Sequence, residues 1–166
     1  MTSWMDEIKS LRKQLRKARI AGPWDDEPDS AVLGVSSGLH CFVIRNGMLT
    51  LCGYVAVPPG HPAHGKDVDE VDVTVHGGLT FAGNAAGCAL GETVIDAMLS
   101  KHWVLGFDCA HYDDVLPVML ELRARPGWIT GSQEQPSGWP KPKYRTLGWV
   151  VAETKKLAEQ LARMEG

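Results

Sequence analysis

Three short segments between residues 52 and 114 place histidine, cysteine and aspartate beside glycine. Their sequences are CGYVAVPPGHP at 52–62, HGGLTFAG at 76–83 and GFDCAHYDD at 106–114. Histidine and aspartate side chains bind metal ions and transfer protons, and neighbouring glycines let a ligand approach the backbone closely. The three segments therefore predict one composite site.

His76, Asp108 and His111 are the predicted catalytic residues, and the same three are the predicted metal ligands. Asp108 and His111 are three residues apart, directly after a predicted strand. This spacing fits a metal-binding pair or an acid–base pair, and it also fits an aspartate that caps the next turn and orients its neighbour. The cofactor is left open, with a divalent metal ion on histidine nitrogen and carboxylate oxygen as the candidate.

Six further residues are predicted to bind the ligand. Glycines following His76 expose backbone N–H groups of the kind that bind anions, and an aromatic ring at position 54 offers stacking or a hydrogen bond. The histidine at position 61 has a constrained backbone between glycine and proline, whereas His64 is expected in solvent. The predicted ligand-binding residues are Tyr54, His61, Gly77, Gly78, Thr80 and Asp114.

Four cysteines, at positions 41, 52, 88 and 109, contain no C-x-x-C pair, which argues against a zinc ribbon. Cys52 is the one candidate nucleophile, but its position in mid-strand is typical of an unreactive, packed thiol. The phosphate-binding loop, the dinucleotide fingerprint, the esterase elbow and the H-E-x-x-H motif are all absent from the sequence.

Five elements are predicted to position these residues. Apolar residues at steps of three and four predict an amphipathic helix over 2–20 with six basic residues, and another helix over 147–164. Asn46-Gly47 predicts a β-hairpin over 39–57 with a type I′ turn. Alternating apolar residues predict strands over 71–76 and 102–109.

Three other segments give weaker signals. Asp113 or Asp114 is expected to cap a helix from about Val115 to Arg123. Residues 92–100 fit either a short helix or an irregular insertion. Residues 126–143, rich in proline, glycine and serine, are long enough to be a functional lid or a disordered loop.

The elements predict an α+β fold with a mostly antiparallel sheet of four to five strands. A basic amphipathic helix at 1–24 and an acidic Pro/Gly linker at 25–38 precede a single domain at 39–166. The C-terminal helix covers one sheet face, and the opposite face is expected to carry Tyr54, Thr74 and His76 into a pocket.

The composition describes a globular protein, with 44% hydrophobic and 22% charged residues and a formal net charge of −3. Neither a membrane span nor an apolar N-terminal signal is evident, so a cytoplasmic protein is expected. An acidic run after the basic helix partly offsets its charge, and nucleic acid is not expected as a partner. A second copy or another protein docking on residues 2–20 is the alternative role for that helix.

The three segments resemble a family of small proteins common in bacteriophages and prophages, with motifs CGYVxVPxGHP, HGGLTFxG and GFDCAHxxD. Tyr144-Arg145-x-Leu147 and the helix after it also look like this family. The resemblance covers roughly residues 40–112 and 144–164, and it brings no established activity. It implies a phage-encoded protein that acts in a bacterial cytoplasm.

Three classes of function follow. The first is a hydrolase, metal-assisted through His76, Asp108 and His111, acting on a small phosphorylated or nucleotide-like substrate. The second is a non-catalytic protein that sequesters a nucleotide-like ligand, for example to counter host defence. The third is an inhibitor of a host protein that docks through the N-terminal helix. The composite site requires His76, Asp108 and His111 to meet on one side of the sheet, beside Tyr54.

Overall fold

The computed structural model describes residues 3–85, 99–126, 137–138 and 140–164. Within them the chain forms three α-helices and five β-strands, which confirms the predicted α+β fold. The helices are α1 (Trp4–Lys17), α2 (Pro117–Ala124) and α3 (Leu147–Ala162). The strands are β1 (Ser30–Ser36), β2 (Leu39–Arg45), β3 (Leu51–Val57), β4 (Phe81–Asn84) and β5 (Trp103–Phe107).

The five strands form one antiparallel sheet in the order β1-β2-β3-β5-β4. Helix α3 packs across β1, β2 and β3, and its apolar stripe meets the core on that face. Val150, Leu157 and Leu161 of α3 are fully buried there, as the helical spacing predicted. No helix among the described residues has the length and apolarity needed to cross a membrane.

The sheet face opposite α3 is not open, and the prediction of a pocket across it is wrong. A second cluster fills that face with Phe42, Ile44, Ala56, Ala85, Leu99 and Val104. Tyr54 joins this cluster, and its ring lies edge-on to Phe81 with the ring centroids 5.8 Å apart. Strand β3 is therefore packed on both faces, and Tyr54 serves that packing.

The predicted hairpin is confirmed as β2 and β3, but its turn is not the two-residue type I′ turn. The connection covers residues 46–50, because Asn46 Oδ1 accepts hydrogen bonds from the Met48 and Thr50 amides. Leu49, rather than Gly47, takes the positive φ of 61°. A buried leucine accepts this strained backbone because its side chain fills the cluster under α1.

The segment 71–76 is extended but joins no strand, so the predicted strand is wrong. Its alternation still shows in the burial, since Val71 and Val75 are buried in the core below α3. The backbone pairs with a side chain instead of a neighbouring strand. Gln160 of α3 donates to the Thr74 carbonyl and accepts from the Thr74 amide, at 2.9 and 2.7 Å.

The predicted linker contains strand β1, so that prediction is wrong over Ser30–Ser36. Two of the four acidic residues before it, Glu27 and Asp29, form ion pairs with arginines. Asp29 accepts from Arg12 at 2.6 Å and from Arg45 at 2.8 Å, and the Arg45 side chain is fully buried. These ion pairs fix the start of β1 beside α1.

The apolar stripe of α1 packs on the rest of the protein. Ile8 and Leu15 are buried at 1% and 2% exposure against Trp24 and Leu49. Val118 and Leu120 of α2 close the same cluster. The stripe that suggested a docking helix is thus part of the core, and only the polar side of α1 is exposed.

The remaining weak predictions have mixed outcomes. Helix α2 begins at Pro117 after an uncapped Leu116, so neither Asp113 nor Asp114 is its N-cap. The expectations for 92–100 and for the loop 126–143 fall mostly on residues 92–98, 127–136 and 139, which lie outside the described residues.

Candidate metal centre

His76, His111 and Asp114 come together beside the first turns of α3. One ring nitrogen of each histidine and one carboxylate oxygen of Asp114 all lie within 4.8 Å of one another. Among the described residues this is the one group of three or more potential ligands with that spacing. Two imidazoles and a carboxylate form a common ligand set for zinc and related ions.

His76 is presented by a tight turn. The Gly78 amide donates to the Val75 carbonyl at 2.9 Å, and Gly77 takes a φ of 67° that favours glycine. The His76 amide donates to Glu153 Oε1 of α3 at 2.9 Å. The buried Val75 and this contact hold His76 at a fixed distance from α3.

His111 lies directly over Gly77. A Cβ atom at position 77 would overlap the His111 imidazole, so the ring can occupy this position only if residue 77 is glycine. The His111 Nε2 atom is buried and makes no hydrogen bond within the described part of the chain. It lies 3.2 Å from Asp108 Oδ1, but the two atoms are not aligned for a hydrogen bond. A buried ring nitrogen without a partner is a candidate metal ligand.

Asp114 joins the two histidines. Its carboxylate, fully buried, accepts from His76 Nε2 at 2.8 Å, from the His111 amide at 3.0 Å and from Arg145 Nε at 2.7 Å. Burial by itself raises the pKa of Asp114, but the bonds from Arg145 and His76 outweigh it and hold that pKa below its usual value. Asp114 is therefore a charged, preorganised acceptor.

Arg145 and Trp149 contact the site residues from the N-terminal end of α3. Arg145 also donates to Asp113 at 2.8 Å, and its guanidinium lies over the Trp149 ring at 4.7 Å. The Trp149 ring meets His76 edge-on with the centroids 5.0 Å apart, and His76 meets His111 at 5.1 Å. Bidentate and stacking contacts of this kind fix side-chain rotamers.

The structure brings together two of the three predicted ligands and adds a third. His76 and His111 meet as predicted, and Asp114, predicted only to contact a ligand, is the carboxylate between them. Asp108 lies at the edge of the group, next to His111. Its Oδ1 accepts from the Ala110 amide at 3.2 Å, which fits the predicted role of an aspartate that caps the next turn.

Four predicted ligand-binding residues have other contacts. Tyr54 packs against Phe81 on the sheet face away from α3. The Gly78 amide closes the turn before it, and the Thr80 amide bonds the Gly106 carbonyl. His61 Nδ1 accepts from the Ala63 amide, so its Nε2 carries the proton and donates to the Leu161 carbonyl at 2.9 Å. His61 therefore links its loop to the end of α3.

The described cysteines are poorly suited to act as nucleophiles. Burial, with a smaller contribution from the nearby Asp108 carboxylate, raises the pKa of the Cys52 thiol to about 12. Burial likewise raises the pKa of Cys109 and of Cys41 above the usual range. A thiol that stays protonated is a weak nucleophile, so the sulfur chemistry considered for Cys52 has no support in this geometry.

Sequence reasoning missed the contribution of α3. Arg145, Trp149 and Glu153 were assigned no role in the site, although Arg145 lies in the Tyr144-Arg145-x-Leu147 segment. Arg145 lies just before the N-cap of α3, while Trp149 and Glu153 are four residues apart on one side of the helix, next to its buried stripe. The available signal was therefore this i, i+4 pair at the start of the helix, together with the arginine before it.

The chain was compared with protein-family profiles, with curated proteins and with solved structures, and none of them matched. The resemblance to phage proteins therefore stays a prediction.

Proposed function

We propose that the protein is a hydrolase that uses one divalent metal ion bound by His76, His111 and Asp114. The observation that carries this proposal is the convergence of three ligand atoms, one from each residue, within 4.8 Å of one another. The buried His111 Nε2 atom, which makes no hydrogen bond among the described residues, supports it. Catalytic zinc sites use three protein ligands of these types and leave a fourth position to water. The metal would lower the pKa of that water and make it a nucleophile at neutral pH.

Asp108 is placed to assist the metal-bound water. Its carboxylate is 32% exposed and lies 3.2 Å from His111 Nε2, so it borders any ion that this nitrogen binds. A carboxylate beside a metal-bound water can take its proton during attack. Asp108 is thus proposed as the general base, while the buried Asp114 is the ligand.

The surroundings of the ligands favour a preorganised site. Arg145 and the His111 amide hold the Asp114 carboxylate, and Glu153 holds the His76 backbone. Such outer contacts orient ligands and tune affinity in metalloenzymes. Because the Gly78 amide is used within its turn, an anionic group of the substrate would be bound by the ion itself rather than by this glycine pair.

Hydrolysis by reconstituted protein tests the proposal. Chelator-treated protein should be inactive, and Zn²⁺, Mn²⁺ or Mg²⁺ should restore cleavage of chromogenic carboxylic, phosphomonoester or phosphodiester substrates. His111→Ala should abolish both metal binding and cleavage, whereas Asp108→Asn should retain the metal and lower turnover by about 100-fold or more, as expected for loss of a general base.

His64→Ala is the matched control, since His64 is also partly exposed but bonds the Lys101 carbonyl and is not one of the three ligand residues. It should behave as the unmodified protein. If the protein binds the ion with no cleavage of any of these substrate classes, and a nucleotide is retained intact, the hydrolase is refuted and a sequestering protein replaces it.

A further inference from the structure

The outer side of α1 presents a row of exposed positive charges. Five of its cations are exposed to solvent along the helix and just beyond it: Lys9, Lys13, Arg16, Lys17 and Arg19. The sixth, Arg12, turns inward to Asp29 and to the backbone carbonyls of Trp24 and Glu27. We call the five exposed residues the α1 basic row.

The acidic run that follows α1 offsets this row only in part. Asp29 is engaged by Arg12 and Arg45, and Glu27 accepts from the Tyr144 hydroxyl and the Leu147 amide. Asp25 accepts from the Gly22 amide at 3.1 Å and borders Arg16 and Arg19. Glu27 and Asp29 are therefore used in internal contacts, which leaves the exposed Asp25 and Asp26 against the five cations of the row.

Two grooves flank the C-terminal end of α1 and extend the positive surface. One, of about 460 Å³, is lined by Arg16, Arg19 and Asp25. The other, of about 510 Å³, lies between α1 and α2 and is lined by Lys17, Arg125 and Glu121. Each groove holds two cations and one carboxylate, so each keeps a positive balance.

We infer that the α1 basic row binds the phosphate backbone of a nucleic acid duplex. Within α1 the row runs from Lys9 to Lys17, about 12 Å along the helix axis, and Arg19 lies just beyond it. Phosphates of one strand advance about 3.4 Å each along a duplex, so the row spans roughly three or four of them. A linear array of exposed lysine and arginine side chains fits such a polyanion, whereas a net charge of −3 gives no general attraction. This inference is independent of the proposed hydrolase.

An anionic membrane fits the same row less well. Membrane-surface helices insert an apolar face, and the apolar face of α1 is inside the protein, with Ile8 at 1% and Leu15 at 2% exposure. Met5, at 37%, is the one large hydrophobic residue of α1 that is exposed. The row offers charge alone, as phosphate-backbone recognition requires.

Fluorescence anisotropy with a labelled DNA duplex of about 20 base pairs tests the inference at several salt concentrations. The triple variant Arg16→Gln, Lys17→Gln, Arg19→Gln should weaken binding at least about tenfold and reduce the slope of log K against log salt by about two to three. The control triple Lys66→Gln, Lys155→Gln, Arg163→Gln removes exposed cations elsewhere and should change affinity less than about twofold.

Circular dichroism should show both triple variants folded, since none of the six side chains makes an ion pair in the described structure. Three results would overturn the inference. They are no duplex binding at low salt, equal losses in the two triple variants, and binding to phosphatidylserine vesicles under conditions that leave the duplex free.

Discussion

At the scale of single residues, the site depends on which carboxylate lies between the histidines. The i, i+3 spacing of Asp108 and His111 favoured Asp108, because both follow the same strand. The chain instead turns tightly after His111, so that the Asp114 amide bonds the His111 carbonyl and its carboxylate accepts from the His111 amide. That reciprocal turn depends on Arg145, which is 31 residues away, and local spacing cannot reveal it.

Gly77 and Gly78 form a matched pair of residues for testing whether the His111 imidazole packs directly on Gly77. Both have positive φ, but a Cβ at Gly77 would overlap the imidazole, whereas a Cβ at Gly78 meets nothing within 4 Å. We expect Gly77→Ala and Gly78→Ala each to cost about 1–2 kcal/mol of backbone strain. Only Gly77→Ala should displace His111 and abolish metal binding, as measured by titration and by the histidine NMR signals. Equal metal affinity in the two variants would contradict this placement of His111.

The buried thiols predict a loss of stability at alkaline pH. The folded pKa of Cys52, at about 12, lies above its ordinary value of 9.0, so the native state retains a proton that the unfolded state loses. The stabilising contribution of the protonated Cys52 thiol to the free energy of unfolding is fully present below pH 9.0 and decreases as pH rises toward 12. Urea titrations at a series of pH values should show this fall in the free energy of unfolding. Cys52→Ala should make the slope of that free energy against pH less steep by roughly 1 kcal/mol per pH unit. An unchanged slope would contradict the burial of this thiol.

At the scale of elements, the hairpin was predictable because its signals are local. Asn46 and the alternating apolar residues around it lie within one short segment. The segment 71–76 was misread because its pairing partner is a side chain of α3, 86 residues away. An apolar alternation predicts which side chains are buried, but it does not tell whether the backbone pairs with a strand or with a glutamine.

Arg45, at the end of β2, links three loop segments of the chain. Its buried guanidinium donates to Asp29 at 2.8 Å, to the Leu49 carbonyl at 2.9 Å and to the Tyr144 hydroxyl at 2.8 Å. Arg45→Met leaves Asp29 and Glu27 with fewer partners, and we expect a loss of about 3–5 kcal/mol in unfolding free energy. Chemical denaturation measures it. Arg16→Met is the control, since that side chain is exposed and makes no ion pair among the described residues, so the midpoint should stay nearly unchanged. An Arg45→Met protein as stable as the unmodified protein would contradict this stabilising role of the Arg45 contacts.

At the scale of the whole molecule, the division into helix, linker and domain is the main point on which structure and sequence disagree. Composition suggested a linker because residues 25–38 are rich in acid, glycine and serine. Two of these acids, Glu27 and Asp29, are instead paired with Arg12 or Arg45, and Ser30–Ser36 adds the edge strand β1. Pairing partners for buried charges are set by the tertiary fold, so composition could not distinguish this strand from a linker.

Removal of residues 1–24 tests the integration of α1. Deletion takes away Ile8, Leu15 and Trp24 from the cluster over Leu49, and with them the Arg12 contact to Asp29. In contrast to the sequence-based expectation of a separable helix, we expect a molten or insoluble core. Near-ultraviolet circular dichroism and dye binding report the loss of packing. A cooperative, soluble truncated protein would show that α1 is a separate unit.

The central claim is that His76, His111 and Asp114 bind one divalent metal ion. Isothermal titration calorimetry of chelator-treated protein with Zn²⁺ tests it most directly. We predict one ion per chain, released protons on binding, and no detectable binding by His76→Ala or by His111→Ala, since either leaves only two ligands. His61→Ala, which removes a histidine tied to Leu161, should bind as tightly as the unmodified protein. No uptake of metal by the unmodified protein, or undiminished uptake by the His111→Ala variant, would contradict the account.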